Sequence, residues 1–280
     1  MRWRDAAELV RLPAALTVPG DTLAGAAAAG WPCGKRTAAL PVASACLYWA
    51  GMALNDWADR ELDATERPER PLPSGRVRPG EALALAGGLT AAGLGAAAVA
   101  GRRPLAVAAA LAATVWTYDV VAKPTPAGPA VMAATRFLDV LMGAAGRRAG
   151  LVPAAVMGVH TLAVTAVSRG EVHGTTTGQG RAAVATTVAA AAGAALAPGR
   201  ARVPAVALAA TYAAAVLPAQ VDVVRRPDAA TARRATGVGI RGMVPLQAAL
   251  LAGHGAVAAA VGLLAAVPLA RLGARAVSPT

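Results

Sequence analysis

An all-α, multi-pass membrane protein is the fold class this sequence predicts, on three observations. Hydrophobic residues fill 56% of the 280 positions. Charged residues fill only 15%, against about 25% in soluble domains. Apolar stretches of about 17–25 residues, the length a helix needs to cross a bilayer, recur along the chain between short loops. The expected architecture is one transmembrane domain over residues 1–280, a bundle of nine helices around a central cavity.

The first span, 12–30, follows arginines as a signal peptide would, but Pro13, Pro19 and Asp21 interrupt it and further spans follow, so it reads as a membrane helix. The second, 38–55, runs into the most charged stretch of the chain. The next six are 82–101, 104–121, 127–145, 151–168, 182–198 and 203–220, with Arg102-Arg103-Pro104, Gly146-Arg147-Arg148 and Pro198-Gly199-Arg200 among their connections. The ninth, 238–267, is long, with a kink expected at Gly253-His254-Gly255. Lys and Arg are more numerous on the side that holds the N-terminus and the loop after the second span, which assigns that side to the cytoplasm and the protein to the cell membrane.

A net charge of +12 invites a nucleic-acid reading, but the 27 basic residues are spread as short flanks and the chain has a single Phe. That is the pattern of membrane-edge loops and excludes a nucleic-acid face. Cys33 and Cys46 form neither a disulfide framework nor metal-type spacing.

The chemistry concentrates after the second span, in Asn55-Asp56-Trp57-Ala58-Asp59-Arg60-Glu61-Leu62-Asp63. On a continuous helix Asp56, Asp59 and Asp63 fall within an arc of about 60°. Three carboxylates on one face repel one another. A divalent cation removes that repulsion, and Arg67, Arg70 and Arg76 in the Pro-rich strip that follows suit the phosphates it would carry. The residues therefore read as a Mg2+–diphosphate site, with Asn55 adding a neutral oxygen. The competing reading is a solvated loop whose acids neutralise its arginines.

Asn-Asp-x-x-Asp-x-x-x-Asp after the second helix, followed by Arg67-x-x-Arg70-Pro-Leu-Pro-Ser-Gly75, resembles the first signature of the UbiA-type membrane prenyltransferases. The resemblance implies transfer of an isoprenyl chain from its diphosphate to an acceptor. It makes Asp56, Asp59 and Asp63 metal ligands and Arg67 and Arg70 diphosphate contacts. It also matches Tyr118 and Lys123, after the fourth span, to a segment that faces the diphosphate. The second acidic segment of such enzymes corresponds to Ser168-Arg169-Gly170-Glu171-Val172-His173-Gly174, where Glu171 is the single acid. This departure leaves a second metal to Glu171 and water, with Arg169 and His173 as phosphate contacts or proton acceptor. The implied partners are an isoprenyl diphosphate, an unidentified acceptor and membrane lipid, and the chain is expected to act as a monomer.

Ionisable residues inside spans are costly and usually face partners or cavities. Arg136 and Asp139, three apart in the fifth span, are expected to pair with each other or to face the cavity. Asp21 has no local partner and is expected to orient the acceptor or contact the aspartate cluster. His160 and His254 read as helix-packing hydrogen bonders. Trp49, Trp57, Trp116 and Phe137 are the aromatics available to shield a cation. The alternatives are an inactive homologue of the family or a polytopic transporter, which would place its acids at mid-bilayer rather than at one interface.

Overall fold

The computed structural model describes residues 1–12, 18–30, 38–197 and 201–277. Cys33 and the 198–200 connection lie outside them. Twelve α-helices follow in chain order: α1 Trp3–Leu9, α2 Pro19–Ala28, α3 Ala39–Ala58, α4 Arg60–Glu66, α5 Pro79–Ala100, α6 Arg102–Thr117, α7 Gly128–Gly143, α8 Leu151–Ser168, α9 Thr177–Ala195, α10 Arg202–Arg225, α11 Ala229–Gly253 and α12 Val257–Val277. Pro79 and Pro129 sit in the first turns of α5 and α7, where a missing N–H costs nothing. Five segments, Pro79–Ala100, Arg102–Ala122, Arg148–Ser168, Arg202–Arg225 and Ala229–Gly253, are long and apolar enough to cross a membrane.

The ninth expected span is not one kinked helix. It divides into α11 and α12 at His254-Gly255-Ala256, because Gly255 takes φ +86°, a left-handed turn that ends α11.

Consecutive long helices pack side by side, α3 on α5, α5 on α6, and so on to α11 on α12, while α2 closes against α7 and α11. The cores are built from Ala, Val and Leu, so backbones approach closely. A Cβ on Gly143 would stand 2.1 Å from the Thr22 carbonyl oxygen, and one on Gly25 would stand 1.9 Å from that of Val140. Gly143→Ala is therefore expected to destabilise the fold by about 1–3 kcal/mol or more, the cost of overpacking a filled core. A thermal midpoint in detergent equal to that of the unaltered protein would contradict this contact.

The alternation of helix direction brings the ends of α3, α6 and α8 and the starts of α7 and α11 to one end of the bundle. That end carries the charged stretch.

Candidate active site at the bundle mouth

The helix carrying Asp56 does not run on to Asp63. It ends at Ala58, Asp59 takes φ −85° and ψ 2°, and α4 restarts at Arg60. The run is interrupted at Asp59 alone, and each acid finds a cation. Arg70 Nη1 donates to Asp63 Oδ2 at 2.6 Å and to Asp56 Oδ1 at 3.3 Å. Arg11 Nη2 donates to the same Asp56 oxygen at 3.0 Å, and Arg67 Nη1 lies 3.8 Å from Asp63 Oδ1. Lys123 Nζ donates to Asp59. Among the described residues no group of three His, Cys, Asp or Glu side chains is gathered closely enough to hold a metal. Asp56, in the last turn of α3, is only 4% exposed.

Arg70 owes its position to the Pro-rich strip. Leu72 and Val77 are buried in a cluster with Leu9, Ala53 and Leu54, and Val77 N–H donates to the Pro71 carbonyl at 2.9 Å. Gly75 (φ +74°) makes the turn between those anchors. Arg76 does not join the site. Its guanidinium binds both Glu8 oxygens, at 2.7 and 2.9 Å, and Asp5 at 2.9 Å, tying α1 to the strip.

Behind α6, residues Tyr118–Ala122 form a π-helical turn, in which Lys123 N–H donates to the Tyr118 carbonyl at 2.9 Å. Such turns are frequent at functional sites. Here the turn sets Asp119 and Tyr118 on a cavity wall, while Lys123 reaches Asp59. Asn55 Nδ2 donates to Asp119 Oδ1 at 3.2 Å. The cavity, about 400 Å³, lies among α3, α6, α7, α8 and α11. Asn55, Tyr118 and Asp119 stand at its polar end, and Leu47, Met52, Val115, Met132, Val164 and Met243 are among its apolar walls. Its aromatic lining is Tyr48 and Tyr118 rather than the tryptophans and Phe137 expected from sequence. Trp57 and Trp116 pack against the Leu9 and Leu54 cluster, and Phe137 packs against the core of α8 to α11.

The second acidic segment is tied to the neighbouring loops through its backbone and through Arg169. Arg169 donates to the Thr125 carbonyl at 2.6 Å, bracing the loop after Lys123. The Glu171 carbonyl accepts from Arg233, and Thr175 N–H donates to the Pro227 carbonyl at 2.9 Å. The side chains of Glu171 and His173 make no hydrogen bond or ion pair among the described residues.

The charges inside the bundle also pair differently from the local expectation. Arg136 binds Asp21, not Asp139: Arg136 Nη1 donates to Asp21 Oδ2 at 2.8 Å. Gln247 Nε2 donates to Asp21 Oδ1 at 2.7 Å, so the carboxylate of Asp21, at 0% exposure, is held by Arg136 and Gln247 rather than by the aspartate cluster. The cause is the glycine contact between α2 and α7, which puts a fully buried carboxylate within reach of Arg136. Asp139 instead accepts from Ser44 Oγ at 2.7 Å. Asp21→Ala, which strands Arg136, is expected to destabilise the protein by about 3–5 kcal/mol; chemical denaturation in detergent with an unshifted midpoint would refute the pairing. His160 is enclosed by Tyr212 Oη at 2.7 Å and the Gly239 carbonyl at 3.0 Å, the packing role expected of it.

The sequence profile of the UbiA prenyltransferase family matches residues 15–241. The chain belongs to that family. A digeranylgeranylglyceryl phosphate synthase of Methanopyrus kandleri is 44% identical over 86 residues, which are 31% of this chain and 32% of the relative. The alignment thus spans about a third of that curated relative. The fold resembles a UbiA homologue from Aeropyrum pernix K1 (TM-score 0.65, 18% identity, 85% of this chain and 96% of that one). It also resembles a UbiA homologue from Archaeoglobus fulgidus bound to DMAPP and Mg2+ (TM-score 0.61, 14% identity, 85% and 99%).

The oxygen-only donor set of this UbiA chain at the mouth, Asp56, Asp59 and Asp63, fits the preference of Mg2+ for a few carboxylates completed by phosphate and water. That Arg70 and Lys123 are drawn to the same oxygens shows the negative potential a cation would meet. Sequence reasoning missed two members of the cluster. Arg11 lies 45 positions before Asp56, with no local signal to join them. Asp119 stood in plain view beside Tyr118, its signal being a carboxylate at the end of an apolar span.

Proposed function

We propose that this chain is a membrane prenyltransferase, moving an isoprenyl group from its diphosphate to an acceptor inside the bundle. One observation carries the reading. Asp56 and Asp63 share Arg70, and Asp59 holds Lys123, next to Asn55, Tyr118 and Asp119, which line the polar end of a mainly apolar cavity. Anion-binding cations, metal-binding oxygens and a dry, chain-sized space are the parts that ionisation of an allylic diphosphate requires. The relatives add support: the Archaeoglobus homologue binds DMAPP and Mg2+.

Asp56, Asp59 and Asp63 would hold Mg2+, with Glu171 as a fourth oxygen ligand on the opposite loop. Bound there, the ion would neutralise the diphosphate as a Lewis acid and ease its departure. Arg67, Arg70 and Lys123 contact the diphosphate oxygens and stabilise the charge that builds on them. Arg169 and His173 flank the site from the second segment, and Asn55 and Tyr118 orient the donor at the cavity entrance. The allylic carbon–oxygen bond breaks with its electron pair leaving on the diphosphate. A new bond then forms to an acceptor carbon or oxygen, which loses a proton, and Asp119 is the carboxylate lining the cavity to receive it. Apolar walls keep water from the cation.

We read α2, α3 and α5 to α11 as nine transmembrane spans of a monomer in the cell membrane, with the site on the cytoplasmic face. Incubating membranes that carry the protein with radiolabelled isoprenyl diphosphates of several lengths and a panel of acceptors tests the activity. The expected result is an Mg2+-dependent prenylated product. No product from any pairing would reject the reading.

A further inference from the structure

The charges inside the bundle are not all used by the pairing of Asp21 with Arg136. Asp139 is 5% exposed, and its Oδ2 accepts from Ser44. Its Oδ1 is fully buried and meets no donor among the described residues. A buried acceptor left unpaired costs about 1–3 kcal/mol, and more when charged, so this oxygen gains from any donor brought to it. Asp139 is one of the residues lining a cavity of about 60 Å³, with Ser44, Tyr48, Arg136, Leu47, Val115 and others.

Leu47, Tyr48, Val115, Thr135 and Arg136 line both this pocket and the 400 Å³ cavity, so the two adjoin through one wall. Ser44 lies about 18 Å along α3 from Asp56, at 1.5 Å per residue. A substrate group in the pocket is therefore the end remote from the diphosphate. An isoprenyl tail has no hydrogen to donate and would leave Asp139 Oδ1 unsatisfied. The volume admits no more than a few water-sized groups. A carboxylate or phosphate has no hydrogen to donate to Asp139 Oδ1, which disfavours an anion.

We propose that Ser44, Arg136 and Asp139 form a distal subsite for a hydroxyl of the acceptor, which makes the acceptor an elongated, uncharged, hydroxyl-bearing molecule. This rests on the prenyl-transfer reading. Asp139 Oδ1 accepts the hydroxyl hydrogen, Ser44 fixes the carboxylate, and Arg136, itself fixed by Asp21, stands in the wall that the two cavities share.

Binding to the protein in nanodiscs tests it without knowledge of the natural acceptor. The probes are three para-substituted phenols with eight-carbon chains ending in a hydroxyl, a carboxylate or a methyl group, competed against the tritiated hydroxyl probe by scintillation proximity. The unaltered protein is expected to hold the hydroxyl probe about tenfold more tightly than the other two, the order set by one buried polar group left unpaired. Asp139→Asn is expected to shrink that preference to within about threefold. Equal binding of the three probes, a preference for the carboxylate, or a preference that survives Asp139→Asn would overturn the proposal. Diphosphate release is measured in parallel. Its absence beside an intact hydroxyl preference rejects prenyl transfer and not the pocket, and the reverse pattern rejects the pocket alone.

Discussion

Arg70→Ala is expected to lower turnover of an isoprenyl diphosphate by about 10²–10³-fold while leaving the helical content of the protein intact. The magnitude is that of removing one preorganised charge-stabilising donor from a water-poor site. Arg70 is the guanidinium shared by Asp56 and Asp63, and it is held by a strip anchored on buried Leu72 and Val77. Its loss leaves Arg11 on Asp56 and Arg67 near Asp63, so the fold keeps partial compensation. Arg70→Lys is expected to recover only part of the activity, because an ammonium lacks the planar fork that serves two acceptors at once. Turnover within a few-fold of the unaltered protein in Arg70→Ala would remove this residue from the diphosphate site.

The second large effect is expected from the acids. Asp56→Asn is expected to cost at least about 10²-fold in turnover and to raise the Mg2+ concentration needed for half-maximal rate, since an amide carries no charge to hold a divalent ion. Asp59→Asn is expected to act similarly and to release Lys123 from its partner. The double variant is expected to lose less than the product of the two single losses, as residues that act as one unit do. A Mg2+ requirement unchanged in both single variants would place the ion elsewhere.

Much of the scaffold was legible in the sequence, because an apolar run of about twenty residues has few fates other than crossing a bilayer. The order of charges after the second span was legible too, since it departs so sharply from the alanine-rich background. What escaped were contacts made over long sequence distances. The stagger of Arg136 and Asp139 on one helix favours a local pair, yet the glycine contact of α2 with α7 delivers Asp21 instead. Helical periodicity carries Asp56, Asp59 and Asp63 along one face only if the helix continues, and the break at Asp59 is a tertiary matter. Asp59 pairs with Lys123, while Asp56 and Asp63 share Arg70. Gly253-His254-Gly255 reads as a kink in one long helix, because a positive-φ turn that ends a helix and a kink look alike in sequence.

The central claim is that the acids at the mouth bring an isoprenyl diphosphate and Mg2+ together. The most direct measurement is diphosphate release from a radiolabelled isoprenyl diphosphate by purified protein in nanodiscs with the acceptor panel present, with Mg2+ and then with EDTA, for the unaltered chain and for Asp56→Asn. The account predicts release from the unaltered chain with Mg2+, little with EDTA, and little from Asp56→Asn under either condition. Release that persists in EDTA, or that is as fast in Asp56→Asn as in the unaltered chain, would contradict it.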